Sequence, residues 1–461
     1  MEEDFGEWYR RMLSENKLVD DRYDVKGMLV YRGDGMRIIR EMSRFLEAEL
    51  EKDGHEPTLF PLLIPENLLM KEAEHIAGFE DQVYWVTHGG KTPLERRLAL
   101  RPTSETCMYP MFALWTRTHQ DLPIKVHQTV TVYRCETKQT RPLIRSREFY
   151  WNEGHTAFAT RQEALENVKT VKGIYSQMIN GLLCLPVMVN QRPDWDKFPG
   201  AEFTVAFDTM MPDGRTLQVA TVHNLGQHFS KVFGIEYDDE KGQKKHVWQT
   251  SYGPGFGRLL AAVVSVHGDE KGMILPPRVA PVQAVIIPIV FKDADKADVM
   301  AHVEELEKTL KSGGYRVKVD AGDERPGAKF FKWEQKGVPL RIEVGPRDIK
   351  EGKVMLVRRD TGEKRGVPVK DLDLQAVFSD IESNMRSKAQ KRFDERICEA
   401  DTLPKFKDLV GGGIVKVGWC GNKECAKPIE EEGTILSVSE DDGTCVVCGK
   451  KGHGIHVAKT Y

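Results

Sequence analysis

Residues 133–155 constrain the fold more than any other stretch of the chain. Tyr133-Arg134-Cys135-Glu136 leads into a polar loop, and then comes Arg145-Ser146-Arg147-Glu148-Phe149-Tyr150-Trp151-Asn152-Glu153-Gly154-His155. The flanks, 126–136 and 148–158, are rich in Val, Tyr, Phe and Trp, which predicts two strands. Residues 137–146 between them are polar, contain Pro142 and read as a hairpin loop longer than a two-residue turn. Such a pair gathers Arg134, Glu136, Arg145, Arg147, Glu148, Glu153 and His155 in one place. That many charges are costly to bury unless a charged ligand meets them.

A length of 461 residues predicts two to four domains. No stretch approaches the apolar length of a membrane span, and the acidic start Met1-Glu2-Glu3-Asp4 is unlike a signal peptide. The formal charge of -3 supplies no global basic field, so a nucleic acid must dock on a local patch. Eight cysteines without a secretion signal read as reduced thiols or metal ligands. A cytoplasmic, multidomain enzyme is expected.

Residues 5–18 predict a short surface helix. Ile38 or Ile39, Met42, Phe45 or Leu46, and Leu50 recur at helical spacing, with Gly54 as the C-terminal glycine. Residues 58–64 read as a strand interrupted by Pro61, hence an edge or an interface. Thr103 and Glu105, two apart on an extended segment, would point the same way; the alternative is a helix cap leading into 108–115. Residues 161–183 are helical in spacing, and 184–189 look like a strand with Cys184 as a small core residue. Then come Gln218, Thr221 and His223 after a Pro-Asp-Gly turn, and Trp248-Gln-Thr-Ser-Tyr-Gly-Pro-Gly-Phe-Gly-Arg258, where glycines permit close approach to a ligand. A lone His is as readily structural as ligand-facing.

Residues 273–281 form a proline-rich linker. Beyond it strands and helices alternate through 358, which predicts a small α/β domain with a mostly parallel or mixed sheet. After a charged helix over 374–398, Cys420-x4-Cys425 and Cys445-x2-Cys448 suit one tetrahedral zinc with all-sulfur ligation; a disulfide pair is the rival. No open coordination position is left, so a catalytic zinc is not expected.

The Tyr133–Glu153 pattern resembles motif 2 of the class II aminoacyl-tRNA synthetases, matched at Tyr133, Arg134, Glu136, Arg145, Phe149 and Glu153. The tail Trp151-Asn-Glu-Gly-His155-Thr156 narrows the resemblance to the prolyl-tRNA synthetases of the archaeal and eukaryotic kind. The 33–64 region is similar to motif 1, the dimer-forming element, and 248–258 to motif 3, although the Glu usual just before Arg258 is missing. The fold class implied is multidomain α/β and α+β. It has an antiparallel-sheet catalytic domain (1–280), an α/β anticodon-binding domain (281–385) and a C-terminal zinc-binding module (386–461).

The resemblance assigns roles. Arg134 grips the α-phosphate, Glu136 accepts from the adenine amine, Phe149 stacks on adenine, and Arg145 and Arg258 hold the outer phosphates, with Gln218 and Thr221 at the nucleotide. A lone Phe in place of Phe149 would read as a core aromatic. Thr103 and Glu105 take the amino acid's nitrogen: a secondary ammonium offers two donors and a charge to a hydroxyl and an anion. Trp151, Glu153, His155, His223, Ser251 and Gly253 line the proline pocket, beside Arg134. Mg²⁺ bridges the phosphates with Glu136 or Glu153 nearby. Arg341, Glu343, Arg347 and Lys353 are candidates to read anticodon bases, or ordinary surface charges. Tyr461 is a candidate partner of the active site, or an idle tail. The reaction implied is ATP plus proline to prolyl-adenylate, then transfer to the 3′ end of tRNA(Pro), by a homodimer.

The short interval between motifs 2 and 3 leaves no room for a large editing insertion, so misactivated cysteine or alanine would escape hydrolysis of that kind. Two other readings stand beside this one: a class II synthetase for another small amino acid, and a tRNA-binding paralogue without catalysis.

Overall fold

The computed structural model describes residues 4–71, 80–136, 139–290 and 295–461. The acidic residues 1–3 and two residues of the hairpin loop, Thr137 and Lys138, lie outside them.

A seven-stranded sheet organises the first half of the chain. Its order is Glu56–Pro57, Ile124–Tyr133, Glu148–Phe158, Trp248–Pro254, Thr216–Gly226, Phe203–Met210 and Met188–Gln191. All neighbours are antiparallel except the first pair. The expected hairpin lies near the centre, with Val126 opposite His155, Gln128 opposite Glu153 and Val132 opposite Phe149. Period-2 alternation sorts the Glu148–Phe158 strand. Phe149, Trp151, Glu153 and His155 face a cleft, while Tyr150 packs toward the main core. Helices Gly33–Lys52, Arg161–Ser176 and Phe256–His267 bring apolar residues to that core, among them Ile38, Met42, Leu46, Val168, Tyr175 and Leu259. The last of the three is buried nearly all round, as its unbroken run of Leu, Ala and Val requires.

Several expectations need correction. The Phe5–Glu15 helix is no surface element: Trp8, Tyr9 and Met12 are buried in the main core, and the indole N–H of Trp8 donates to the Asp269 carbonyl. Residues 58–64 do not form one strand. Glu56–Pro57 joins the large sheet and Leu63–Pro65 joins a separate three-stranded sheet, because Pro61 cannot donate to a ladder and the segment crosses between the two. The helix from Arg161 runs on as a wide turn through Leu182, and the strand begins only at Met188, Cys184 being buried with φ 56°. Finally, the charged helix ends at Asp394, and Cys398 lies in a strand, Ile397–Glu399.

The second unit has a five-stranded mixed sheet in the order Val317–Val319, Ala284–Pro288, Leu340–Val344, Lys353–Arg358, Lys364–Pro368. The first three strands run parallel and the rest antiparallel. Val299, Val303, Val377, Phe378 and Ile381 from two helices seal one face. Residue 385 falls inside the continuous Leu374–Asp394 helix, so no chain break occurs there; its Met385 packs on this sheet and its Phe393 on the next unit. The 273–281 connection is packed rather than free, with Met273, Leu275, Val279 and Ala280 buried in the main core. The last unit is a four-stranded sheet, Ile397–Glu399, Ile414–Trp419, Lys451–Ala458, Thr434–Thr444. It docks on the large sheet through Met210, Ile414, Leu436 and Ala458. Among the described residues no helix is long and apolar enough to cross a membrane.

Gly154 sits where the hairpin meets Tyr252, and a Cβ there would lie 2.0 Å from the Tyr252 ring. Gly154→Ala should therefore destabilise by about 1–3 kcal/mol, the usual scale of overpacking, seen as a lower urea midpoint. An unchanged midpoint would show that the ring moves freely.

Candidate active site

The cleft, about 350 Å³, opens above the Phe149–His155 face of the large sheet. Of the expected nucleotide and amino-acid residues, Thr103, Glu105, Arg134, Glu136, Arg145, Phe149, Trp151, Glu153, His155, Gln218, Thr221, His223, Ser251, Gly253 and Arg258 all line it. Residues more than 150 positions apart in sequence are thus brought together by strand order.

The floor is a buried carboxylate network. Glu153 accepts from the Ser104 hydroxyl at 2.5 Å and the Gln128 amide at 2.8 Å, and its other oxygen lies 3.0 Å from His155 Nε2. Nδ1 of His155 is 3.2 Å from the Tyr109 hydroxyl. Burial alone would lower the His155 pKa, but the Glu153 bond and the Glu105 charge outweigh it and raise it. Thr103 donates to Glu105 at 2.5 Å, both side chains buried. Neither sequence alternative for this pair describes it fully. The segment is not extended, since Glu105 opens the Glu105–Trp115 helix. Nor does Ser104 cap it, because its hydroxyl is spent on Glu153.

The opposite side is cationic. Arg134 donates from Nε to the Pro102 carbonyl and lies 5.2 Å above the Phe149 ring. Arg258 donates to the Ile144 and Gln218 carbonyls at 2.9 and 3.0 Å, so it is aimed by backbone atoms of the hairpin loop and a neighbouring strand. Burial, then the charges of Arg134 and Arg145, push Arg258 down to about 10, which leaves it charged at neutral pH. Arg145 is 3.5 Å from Glu136. Where the missing motif 3 Glu would stand, Gly257 packs against the Leu143 carbonyl, 3.1 Å from an added Cβ.

His223 faces the cleft and stacks on Phe198 with ring centroids 4.5 Å apart. Burial pushes it down to about 4, so it is neutral. Thr204 accepts from the Phe198 N–H at 2.9 Å and meets His223 Nδ1 at 2.8 Å. Sequence reasoning missed Ser104, Tyr109, Gln128, Thr204 and the wall formed by Asp196, Lys197 and Phe198. The Arg-Pro-Asp-Trp-Asp-Lys-Phe run at 192–198 mixes acids, bases and aromatics in a loop and was the available signal.

Other expected residues lie elsewhere. Tyr461 does not line the cleft. It docks beside it, with Arg141 of the hairpin loop 4.9 Å from its ring, its hydroxyl on Asp213 and its N–H on the Thr216 carbonyl. Arg341 and Glu343 bond each other at 3.0 Å and reach Glu334 and Lys364, so their charges are tied into the sheet face. Arg347 is exposed and Lys353 pairs with Glu351. All eight cysteines are free thiols. The sulfurs of Cys420, Cys425, Cys445 and Cys448 all lie within 4.8 Å of one another, Cys420 and Cys448 at 3.6 Å. A tetrahedron with metal–sulfur bonds of about 2.3 Å has edges of about 3.8 Å, so the cluster fits zinc. Burial would raise the Cys445 thiol, but backbone N–H groups of Cys448, Val447 and Cys420 bring it down to about 7, while Cys425 is pushed up to about 12 by burial and its sulfur neighbours. A cation resolves that conflict by holding all four as thiolates.

The chain resembles known proteins over its whole length. Residues 84–267 match the class II core domain of the G, H, P, S and T tRNA synthetases, and 283–373 match an anticodon binding domain. The proline–tRNA ligase of Methanothermobacter thermautotrophicus is 48% identical over 97% of this chain and 94% of its own length. That of Methanococcoides burtonii is 47% identical over 100% and 97%. A Giardia lamblia prolyl-tRNA synthetase, solved in complex with prolyl-adenylate, superimposes with a TM-score of 0.96 at 35% identity, covering 99% of this chain and 98% of that one. These likenesses do not favour a synthetase for another amino acid or a paralogue without catalysis. The chain belongs to the prolyl-tRNA synthetases, the proline–tRNA ligases of class II.

Proposed function

We propose that the cleft joins proline to ATP as prolyl-adenylate and then passes the prolyl group to the 3′ end of tRNA(Pro). The observation that carries the reading is the division of one cleft into an anionic floor and a cationic wall. Glu105 and Thr103 offer an anion and a hydroxyl to the secondary ammonium, with Trp151, His155, His223, Ser251 and Gly253 around the ring. Arg134, half-buried and lining the same cleft, meets the proline carboxylate and the α-phosphate as charge builds between them. Phe149 stacks on adenine, Glu136 accepts from its amine, Gln218 and Thr221 hold the nucleoside, and Arg145 and Arg258 take the outer phosphates. The attacking oxygen belongs to the substrate carboxylate, pyrophosphate leaves, and no protein nucleophile is needed; positioning and charge supply the rate. Mg²⁺ would accompany ATP and shield its phosphates, and Glu136 would be the carboxylate left to hold it, since both Glu153 oxygens are engaged.

The matched anticodon domain supports tRNA as partner, with Arg347 and Lys353 as base-reading candidates and Arg341–Glu343 shaping the sheet behind them. Exposed Leu59 (81%), Leu62 and Leu63, on the motif 1 segment, support a homodimer, as such a patch is unusual on a free surface. A structural zinc in the four-cysteine cluster and a cytoplasmic, reducing location complete the reading.

Amino-acid-dependent ATP–pyrophosphate exchange should be led by proline among the twenty amino acids, and Arg134→Ala should lower it by about 10²–10³, the scale of one lost charge-stabilising donor. Normal exchange in that variant would sink the assignment. The purified chain should hold about one zinc ion, and Cys420→Ser should lose it and melt earlier. Metal-free protein with unchanged melting would refute the zinc. Leu59→Glu should shift sedimentation toward the monomer; a wild type already monomeric would remove the dimer.

A further inference from the structure

One wall of the cleft is a loop, and the loop is held from outside the catalytic unit. Between the Met188–Gln191 and Phe203–Met210 strands, Asp196, Lys197 and Phe198 face the cleft, and Phe198 carries the stack on His223. Arg192 fixes the start of this loop. One arm of its guanidinium donates to the Leu436 carbonyl of the C-terminal sheet at 3.0 Å. The other donates to Asp208 at 2.8 Å and Gln218 at 3.0 Å. Three residues on, Trp195 turns away from the cleft. Its ring meets the Trp419 ring edge-on at 5.5 Å, and its indole N–H donates to Glu430 at 2.8 Å. Trp419 is the residue before Cys420, and Glu430 ends the helix that carries Cys425. Both contacts of Trp195 therefore fall on the segment holding the first cysteine pair. Trp195 remains 43% exposed, at the surface between the two units.

We propose that Trp195 is a positioning residue for the amino acid: through it the four-cysteine module holds the 192–200 loop, and hence Phe198 and His223, against the proline side of the cleft. This rests on the reading of that side as the proline site. The path from Trp195 leads to the amino-acid side: its side chain meets Trp419 and Glu430, and three residues on Phe198 stacks on His223.

The test is steady-state ATP–pyrophosphate exchange on the zinc-loaded enzyme, normalised by active-site titration, with zinc content and melting measured beside it. Trp195→Ala should raise KM for proline about fivefold, the scale of one net hydrogen bond, with kcat and KM for ATP within about twofold. Trp195→Phe, which keeps the ring contact, should recover part of the loss. Unchanged KM for proline in Trp195→Ala would overturn the proposal, as would kcat, both KM values and melting deteriorating together. Should Trp195→Ala fail to fold, Glu430→Ala at the exposed helix end decides: a rise in KM for proline supports the proposal and no change overturns it. Absence of proline-dependent exchange in the unaltered chain would overturn the proline reading itself, and this inference with it.

Discussion

One buried carboxylate ties the cleft together. Glu153 binds Ser104 from the turn before the Glu105–Trp115 helix, Gln128 from the adjacent strand and His155 from its own strand. Three separate segments are thereby fixed around one ion. Burying a carboxylate is tolerable because three partners meet its two oxygens and His155 is raised toward its charged form. Taking away one partner of such a pair leaves the other charge buried and uncompensated, which costs about 3–5 kcal/mol. The position of Thr103 and Glu105 is a by-product, since both adjoin Ser104.

The cationic wall works by the opposite arrangement. Arg134, Arg145 and Arg258 lie close enough for their charges to oppose one another, and this adds to burial in depressing the pKa of Arg258. Backbone carbonyls aim Arg258 and Arg134 without neutralising them. Three guanidinium groups held against mutual repulsion favour a polyanion over any neutral ligand, and their orientation is set before it arrives. Adenylate formation needs charge stabilisation that does not wait for rearrangement.

The sequence disclosed the cleft better than it disclosed the chain's path. The hairpin was legible because period-2 alternation survives in Phe149, Trp151, Glu153 and His155, and the four-cysteine cluster because cysteine spacing reports geometry directly. Residues 58–64 were misjudged because alternation cannot say that a segment passes from one sheet to another. The Phe5–Glu15 helix looked superficial because a short amphipathic stripe does not reveal what covers it. Ser104 and Gln128 were invisible for a different reason: their roles come from strand neighbours brought together over 25 to 50 positions, which no local pattern encodes. Tyr461 was placed beside the active site, but only the fold shows that it meets the hairpin loop and stops short of the cleft.

The packed 273–281 connection has a consequence for scale. Its apolar residues are part of the catalytic core, and ion pairs Lys336–Asp34, Arg316–Glu41 and Arg359–Asp269 brace the second unit against the first. The chain therefore behaves as a caliper with its jaws set at one gap. A tRNA spanning both units would meet an anticodon-binding sheet held at a fixed distance from the cleft.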